Sequence, residues 1–447
     1  MPTPLNPSDA ATGPSSDRRR RRRRTFLYAA ALSVVAGAWI FREPLRGRIT
    51  QDALLASAAP AREELEEAIN QSRDPASALL AAWRTGRIVQ REVAMALLTR
   101  ALTPNQPLAP ALDAMLIEGA LDPDMNVREL ALGGLAALRH PRWPALAAAQ
   151  LRDCDPQVRL LGLNQLKRAP AAEGVPVAAR ALDDGDPQVL ATAVNLLAHW
   201  SGQDFGVKLV DAVPEEDPKT GLSTYRADAE SKARAGAALA KQWWTRRSAE
   251  FTNPTTDSPA QPARAQPIPP IADFTLPALA GGSIRLSTLR GKVVLINFWT
   301  TWCPACVGEM PVLVELQKRH GDQVAILGVS LDALPDEDGH AGGHENSANA
   351  DAGHVESATA HPSPTADALR QIRQKVARVA AARGLNYAIL LDEQGGIGGR
   401  FNGGELPTTV IVDREGHLRR RFVGPRSLPV FEAMVAEAAQ RLPNLSP

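Results

Sequence analysis

The chain has 447 residues, three cysteines and a formal net charge of +1, and 44% of its residues are hydrophobic. That length is too great for one small domain, and a near-neutral balance excludes a broadly basic nucleic-acid surface. Three cysteines are too few for a four-thiolate zinc site.

Near the start, Arg18 to Arg24 are seven consecutive arginines, and Thr25 to Phe41 follow without a charge. An apolar stretch of that size is the short end of a membrane span, with Trp39 near one boundary and Arg42 beyond it. The arginines would hold residues 1–24 in the cytoplasm and place everything after residue 42 outside. Residues 25–41 are therefore expected to be a transmembrane signal-anchor, or a cleaved signal with Ala36-Gly37-Ala38 as its A-x-A site. Arg23-Arg24-Thr25-Phe26-Leu27 also matches a twin-arginine export motif, a match that any arginine run makes easily. Either form takes the protein out of the cytoplasm.

Residues 52–247 are rich in Ala and Leu and show no strand-like alternation. A repeat is visible. Asp124-x-x-Val127-Arg128, Asp155-Pro156-Gln157-Val158-Arg159 and Asp186-Pro187-Gln188-Val189 recur 31 residues apart, and Asp217-Pro218 falls one period later. Each marker precedes an apolar helical run such as Leu160-Leu161-x-Leu163-x-x-Leu166. The pattern resembles short HEAT repeats, in which Asp caps a helix and Val begins its buried face. Arg91-Glu92-Val93-Ala94 aligns loosely with Arg128-Glu129-Leu130-Ala131, so the array is expected to begin before residue 80. It either binds another protein on its exposed face or acts as a spacer. Trp243 and Trp244 read as a terminal cap, and Cys154 as an idle thiol in a loop. Residues 250–270 then turn to Pro, Thr, Gln and Ala, a semi-extended linker.

Beyond the linker, Val293 to Ile296 is a continuous apolar run suited to a buried central strand. After Cys306, apolar residues at Met310, Leu313 and Val314 recur at helical spacing until Gly321 offers a stop. Cys303-Pro304-Ala305-Cys306 thus sits where a strand turns into a helix. There the helix N-terminus stabilises a thiolate. The first sulfur can attack a disulfide, and the second, one helical turn on, can resolve the mixed disulfide. Zinc would need further ligands, and the remaining cysteine is far away in sequence. The pair is a redox site.

This stretch resembles the thioredoxin superfamily, and within it the membrane-anchored thiol–disulfide oxidoreductases of the TlpA/ResA type. Their W-C-x-x-C-x-x-E-x-P signature reads here as Trp302, Cys303, Cys306, Glu309 and Pro311. Asp273-Phe274-Thr275-Leu276 and Leu289-Arg290-Gly291-Lys292-Val293-Val294 look like the start of that fold. Leu406-Pro407-Thr408-Thr409-Val410 matches the segment carrying the family's cis-proline. The resemblance implies an exposed nucleophile at Cys303, a buried resolving thiol at Cys306, and a cis Pro407 facing the disulfide. The backbone of Leu406 would be left free to pair with an extended client. Trp302, Pro304, Leu406 and Thr408 are the candidate substrate-contacting residues. Glu309 would tune the thiols or move protons; the bland alternative is a solvated carboxylate. Pro311 would kink the helix. Two departures stand out: Pro304 follows the first cysteine, where most of the family puts proline before the second, and Asn297 replaces thioredoxin's buried aspartate.

A break in this unit, from about 334 to 363, carries His340, His344, His354 and His361. Histidine tracts can bind transition metals, but the irregular spacing and Gly, Ala, Asp and Glu content read as a disordered loop. The expected architecture is therefore multidomain: an N-terminal membrane helix, an all-α HEAT-like solenoid at 52–247, and an α/β thioredoxin-like domain at 271–447. By resemblance the domain would lie in the periplasm, anchored by a single pass in a bacterial inner membrane. It would reduce an oxidised exported client such as apocytochrome c and draw electrons from a membrane thiol donor. No separate cofactor, metal or nucleic acid is implied. Two alternatives are a peroxiredoxin-like peroxidase and a non-catalytic scaffold. Thr300 fits the peroxidase pattern P-x-x-x-T-x-x-C, but Ile296 stands at its proline.

Overall fold

A computed structural model describes residues 59–440, apart from 86, 104–106, 210–214, 217–222, 227, 252–268 and 334–363. The basic N-terminus, the apolar segment 25–41, the body of the linker, the marker Asp217-Pro218 and the histidine-bearing insertion all lie outside the described residues. Among the described residues no helix is long and apolar enough to cross a membrane.

The first part is helical, from α1 (Ala59–Gln71), α2 (Pro75–Arg84), α3 (Ile88–Ala101) and α4 (Pro110–Gly119) to α5 (Met125–Ala137) and α6 (Trp143–Gln150). It continues through α7 (Pro156–Leu166), α8 (Ala171–Arg180), α9 (Pro187–Ser201) and α10 (Ala229–Arg247). One departure from an all-helical region is a short antiparallel pair, β1 (Glu215–Glu216) with β2 (Ser223–Thr224). The aspartate markers are helix caps. Asp124 opens α5 and accepts the N–H groups of Asn126 and Val127 at 2.8 and 3.4 Å. Asp155 opens α7 and accepts from Gln157 at 2.9 Å, and Asp186 opens α9 and accepts from Gln188 and Val189, both at 3.0 Å. Such a cap contributes about 1 kcal/mol, and Pro156 and Pro187 stand at the first helical turn, where no N–H is missed. Val127, Val158 and Val189 are buried where each inner face begins. The capped helices α5, α7 and α9 stack in turn, and α3 packs on α5. Trp243 packs against Phe205 and Phe251, and Trp244 against Phe251, closing the far end.

A second period accompanies the first. Asp122, Asp153 and Asp184 each accept the N–H of the capping aspartate two residues on, at 2.9 Å. They also pair with Arg91 of α3, Arg128 of α5 and Arg159 of α7, each one repeat earlier. An arginine–aspartate ladder therefore links one repeat to the next.

The C-terminal part is built on a five-stranded sheet ordered β7-β6-β5-β8-β9. Its strands are β5 (Val293–Trp299), β6 (Val324–Ser330), β7 (Ala388–Leu391), β8 (Thr408–Val412) and β9 (Leu418–Val423), with a separate hairpin of β3 (Thr275–Pro277) and β4 (Ser283–Arg285). β5, β6 and β7 run parallel, and β8 and β9 are added antiparallel. β5 is buried on both faces, as its unbroken apolar run requires. Val293 and Leu295 meet α11 (Pro304–His320) and α14 (Leu428–Ala438) through Leu313, Leu316, Phe431 and Met434. Val294, Ile296 and Phe298 meet Phe274, Leu286 and Phe401 on the other face. α12 (Ala366–Ala382) and the short α13 (Gly396–Arg400) complete the layers. The expected stop at Gly321 is observed, and α11 runs unbroken through Pro311.

The two parts meet through β9 and the loop after it. Arg421 donates its backbone N–H to Pro123 O at 3.0 Å, so the α4–α5 connection covers the sheet edge. The Arg421 guanidinium is fully buried. Nη1 lies 2.8 Å from Glu92 and 3.4 Å from Asp124, and Nε and Nη2 donate to the carbonyls of Phe401 and Asn402 at 2.8 Å each. Burial lifts the Glu92 carboxyl above its usual range, against the pull of Arg421, while Asn126 and Asn402 also donate to it. One strand position over, Arg420 pairs with Asp153 at 2.8 Å. Burial works against that carboxylate, but Arg420 and Arg128 together hold it below the usual range. Ile88 and Met125 add apolar contact across the same boundary. Breaking a buried pair from one side leaves an uncompensated charge. Arg421→Ala is therefore expected to cost about 3–5 kcal/mol of full-chain stability in urea denaturation. A loss below about 1 kcal/mol, the range of a surface pair, would contradict this picture of the boundary.

Candidate functional site

β5 delivers the chain to the Thr300–Trp302 turn, and α11 begins at Pro304 with Cys303 as its cap. The Cys303 sulfur accepts the Cys306 N–H at 3.1 Å, so the free donor of the helix start points at the first sulfur. Cys303 and Cys306 are joined as a disulfide, with Sγ–Sγ 2.08 Å. The turn before them is pinned from β6. Thr301 donates its N–H to both carboxylate oxygens of Asp332 at 3.1 Å, and Ser330 Oγ donates to the same carboxylate at 2.9 Å.

The expected contrast between an exposed Cys303 and a buried Cys306 is not present in this oxidised form. Their exposures are 6% and 3%, because both sulfurs pack in one apolar cluster with Trp299, Met310, Val376 and Leu406. What reaches solvent is the rim: Trp302 is 50% exposed and Pro304 is exposed as well. The Leu406–Pro407 peptide is cis, and Leu406 is half-buried beside the disulfide cluster. Thr408 differs from its expected contact role. It is buried in β8 opposite Phe298, and its hydroxyl donates to the Glu405 carbonyl, so its side chain is turned away from any client.

Glu309 is not the solvated carboxylate of the bland alternative. It is 1% exposed, one helical turn beyond Cys306 on the same face of α11. Oε1 accepts the Arg426 N–H at 2.8 Å and Oε2 accepts from Asn297 Nδ2 at 3.0 Å; Asn297 also donates to Thr409 Oγ1 at 3.1 Å. Burial raises the Glu309 carboxyl to about 7, with Arg426 and Asn297 pulling the other way. Burial and the nearby Glu309 likewise push the Tyr387 hydroxyl up. Asn297, where thioredoxin has an aspartate, is thus a neutral donor to this carboxyl. A proton can be held or released here near neutral pH. Arg426, Tyr387 and Asp332 carried no local sequence signal, because each reaches the site from a distant part of the chain. Among the described residues no group of three or more His, Cys, Asp and Glu is arranged to hold a metal.

Residues 268–421 match the AhpC/TSA family. The thioredoxin-like protein YneN of Bacillus subtilis is 28% identical over 152 residues, covering 34% of this chain and 68% of that protein. The thiol–disulfide oxidoreductase ResA of Geobacillus kaustophilus is 29% identical over 153 residues, covering 34% and 66%. The C-terminal domain is a thioredoxin-like thiol–disulfide oxidoreductase. A solved thiol:disulfide interchange protein from Chlorobium tepidum aligns at 22% identity over 39% of this chain and 99% of its own, with a TM-score of 0.28. At that score the superposition adds nothing to the sequence matches. The helical array lies outside the residues matched to the AhpC/TSA family.

The raised Glu309 carboxyl has a signed consequence for stability. Below pH 4.5 both folded and unfolded states keep the proton, and between 4.5 and about 7 only the unfolded state releases it. Folding stability is therefore lost as pH rises through that window and levels off above it, by roughly 3 kcal/mol at most. Glu309→Gln is expected to remove the loss, so its stability advantage over the native chain should grow from pH 4.5 to 7 in urea melts. Parallel pH profiles for the two proteins would show that Glu309 ionises freely.

Proposed function

We propose that the chain is an extracytoplasmic, membrane-anchored reductase of disulfides in exported proteins, with apocytochrome c as a fitting client. The observation that carries this reading is the Cys303–Cys306 disulfide capping a helix beside a buried, near-neutral carboxyl. In the reduced protein, Cys303 thiolate attacks a client disulfide, forms a mixed disulfide and expels one client thiolate. Cys306 then gives up its proton, which the ionised Glu309 can take, and attacks the Cys303 sulfur. The second client thiolate leaves, and the protein ends in the disulfide form described above. Two electrons pass to the client, and a membrane thiol donor restores the dithiol.

Trp302, Pro304 and the Leu406 backbone form the rim against which an extended client segment would lie. The Arg18–Arg24 run before an uncharged segment supports the anchor and its orientation. The 31-residue caps, the ladder and the stacked helices support a HEAT-like solenoid at 52–247. Against the peroxidase alternative, Ile296 is locked in the middle of β5 at the position that pattern reserves for proline.

Insulin reduction by the full chain, with dithiothreitol as electron source, tests the reading. Cys303→Ser should abolish activity above the background of the reductant, and reduced Cys306→Ser, mixed with insulin after the reductant is removed, should accumulate mixed disulfides that added dithiothreitol dissolves. Full activity in Cys303→Ser would sink the proposal.

A further inference from the structure

The loop between β9 and α14 touches the redox site twice. Gly424 donates its N–H to the carbonyl of the cis Pro407 at 2.8 Å, and Arg426 donates its N–H to Glu309 Oε1 at 2.8 Å. Gly424 has φ 87°, a turn that a side chain would resist. The loop's shape is held by the Arg426 side chain itself. Its Nη1 donates to the carbonyls of Val423, Gly424 and Pro425 at 3.2, 3.0 and 3.2 Å, and its guanidinium lies 4.6 Å over the Phe422 ring.

A guanidinium folded back on its own loop and almost wholly removed from water needs a counter-charge. That charge comes from the helical array. Arg426 Nε donates to both carboxylate oxygens of Asp155, at 3.1 and 3.0 Å, and the two side chains are 7% and 1% exposed. Asp155 is the same residue whose Oδ1 caps α7. Met125, beside the neighbouring cap Asp124, completes the seat with its sulfur 3.9 Å from Nη2. A simple spacer would need none of these contacts.

We propose that Asp155 makes the helical array a positioning element of the dithiol site: by fixing Arg426 it sets the 424–427 loop, and with it the Glu309 carboxyl and the Pro407 carbonyl. This rests on the reading of Cys303–Cys306 as the working redox centre, and it adds a role for a residue far outside the redox domain. Asp155 touches neither thiol nor client. Its influence passes through two backbone N–H groups.

The test uses the full chain with Asp155→Asn. Asparagine still caps α7, because its side-chain oxygen can accept the Gln157 N–H, but it no longer neutralises Arg426. Insulin-reduction kcat/KM is followed from pH 5.5 to 8.5, with circular dichroism and thiol counts as checks on folding. The groups acting on Glu309 among the described residues are Arg426 from the loop, Asn297 from β5 and Tyr387 before β7. Loosening the loop removes the Arg426 N–H, the largest contribution that favours the ionised carboxyl, and this outweighs the unneutralised guanidinium charge, which acts the other way. The midpoint of the profile should therefore move upward by about half a pH unit or more, with kcat/KM at pH 7 falling about twofold or more. In a Glu309→Gln background the same substitution should shift no midpoint, since the titrating group is gone. Arg426→Lys, which keeps the charge but cannot span three carbonyls, should reproduce the upward shift and keeps the test open if Asp155→Asn does not fold. A profile that superposes on the native one in a folded Asp155→Asn or Arg426→Lys protein would overturn the proposal. An active Cys303→Ser protein would instead remove the redox reading beneath it, so the two failures are distinguishable.

Discussion

Unpaired N–H groups at the starts of helices govern both halves of this protein. Each helix leaves several such donors without an internal acceptor. In the array the acceptors are aspartates, and the rule recurs every 31 residues at Asp124, Asp155 and Asp186. At the start of α11 the acceptor is the Cys303 sulfur. The same physical need produces a stack of helices in one part and a reactive dithiol in the other. An aspartate cap also has lone pairs and charge to spare. Asp124 and Asp155 direct theirs at Arg421 and Arg426, so the row of helix starts becomes the surface on which the redox domain sits.

That docking explains why β9 carries three consecutive arginines, Arg419 to Arg421, in a strand. Read alone, such a run looks like a solvated edge. In the folded chain Arg420 and Arg421 are buried, and the edge is covered by the α4–α5 connection. The arrangement asks for completeness, since a buried guanidinium missing one partner is costly. Arg421 meets that demand with two carboxylates and two carbonyls.

What could be read from the sequence was local. The cap period, the strand-to-helix junction at Cys303, the stop at Gly321 and the proline before β8 each depend on neighbours within a few residues. What escaped was pairing across hundreds of positions: Glu92 with Arg421, Asp153 with Arg420, Asp155 with Arg426, and Arg426 with Glu309. The ladder residues Asp122, Asp153 and Asp184 share the repeat's period, and the sequence does display them. Their meaning needed the stacked geometry that brings Arg91, Arg128 and Arg159 opposite them. Burial was the other hidden quantity. Glu309 and Thr408 look alike on paper as polar residues near an active centre, yet the fold buries one so that its carboxyl is raised toward neutral pH and closes the other away in β8.

We propose that the start of α11 makes Cys303 the attacking thiol. Alkylation of the fully reduced chain with iodoacetamide near neutral pH, resolved by peptide mass spectrometry, tests it most directly. Cys303 should be modified about tenfold or more faster than Cys306, because the helix donor favours its thiolate. Cys154 supplies an internal reference, since burial pushes its thiol up to about 11 and it should react slowly. Equal rates at Cys303 and Cys306 would contradict the account.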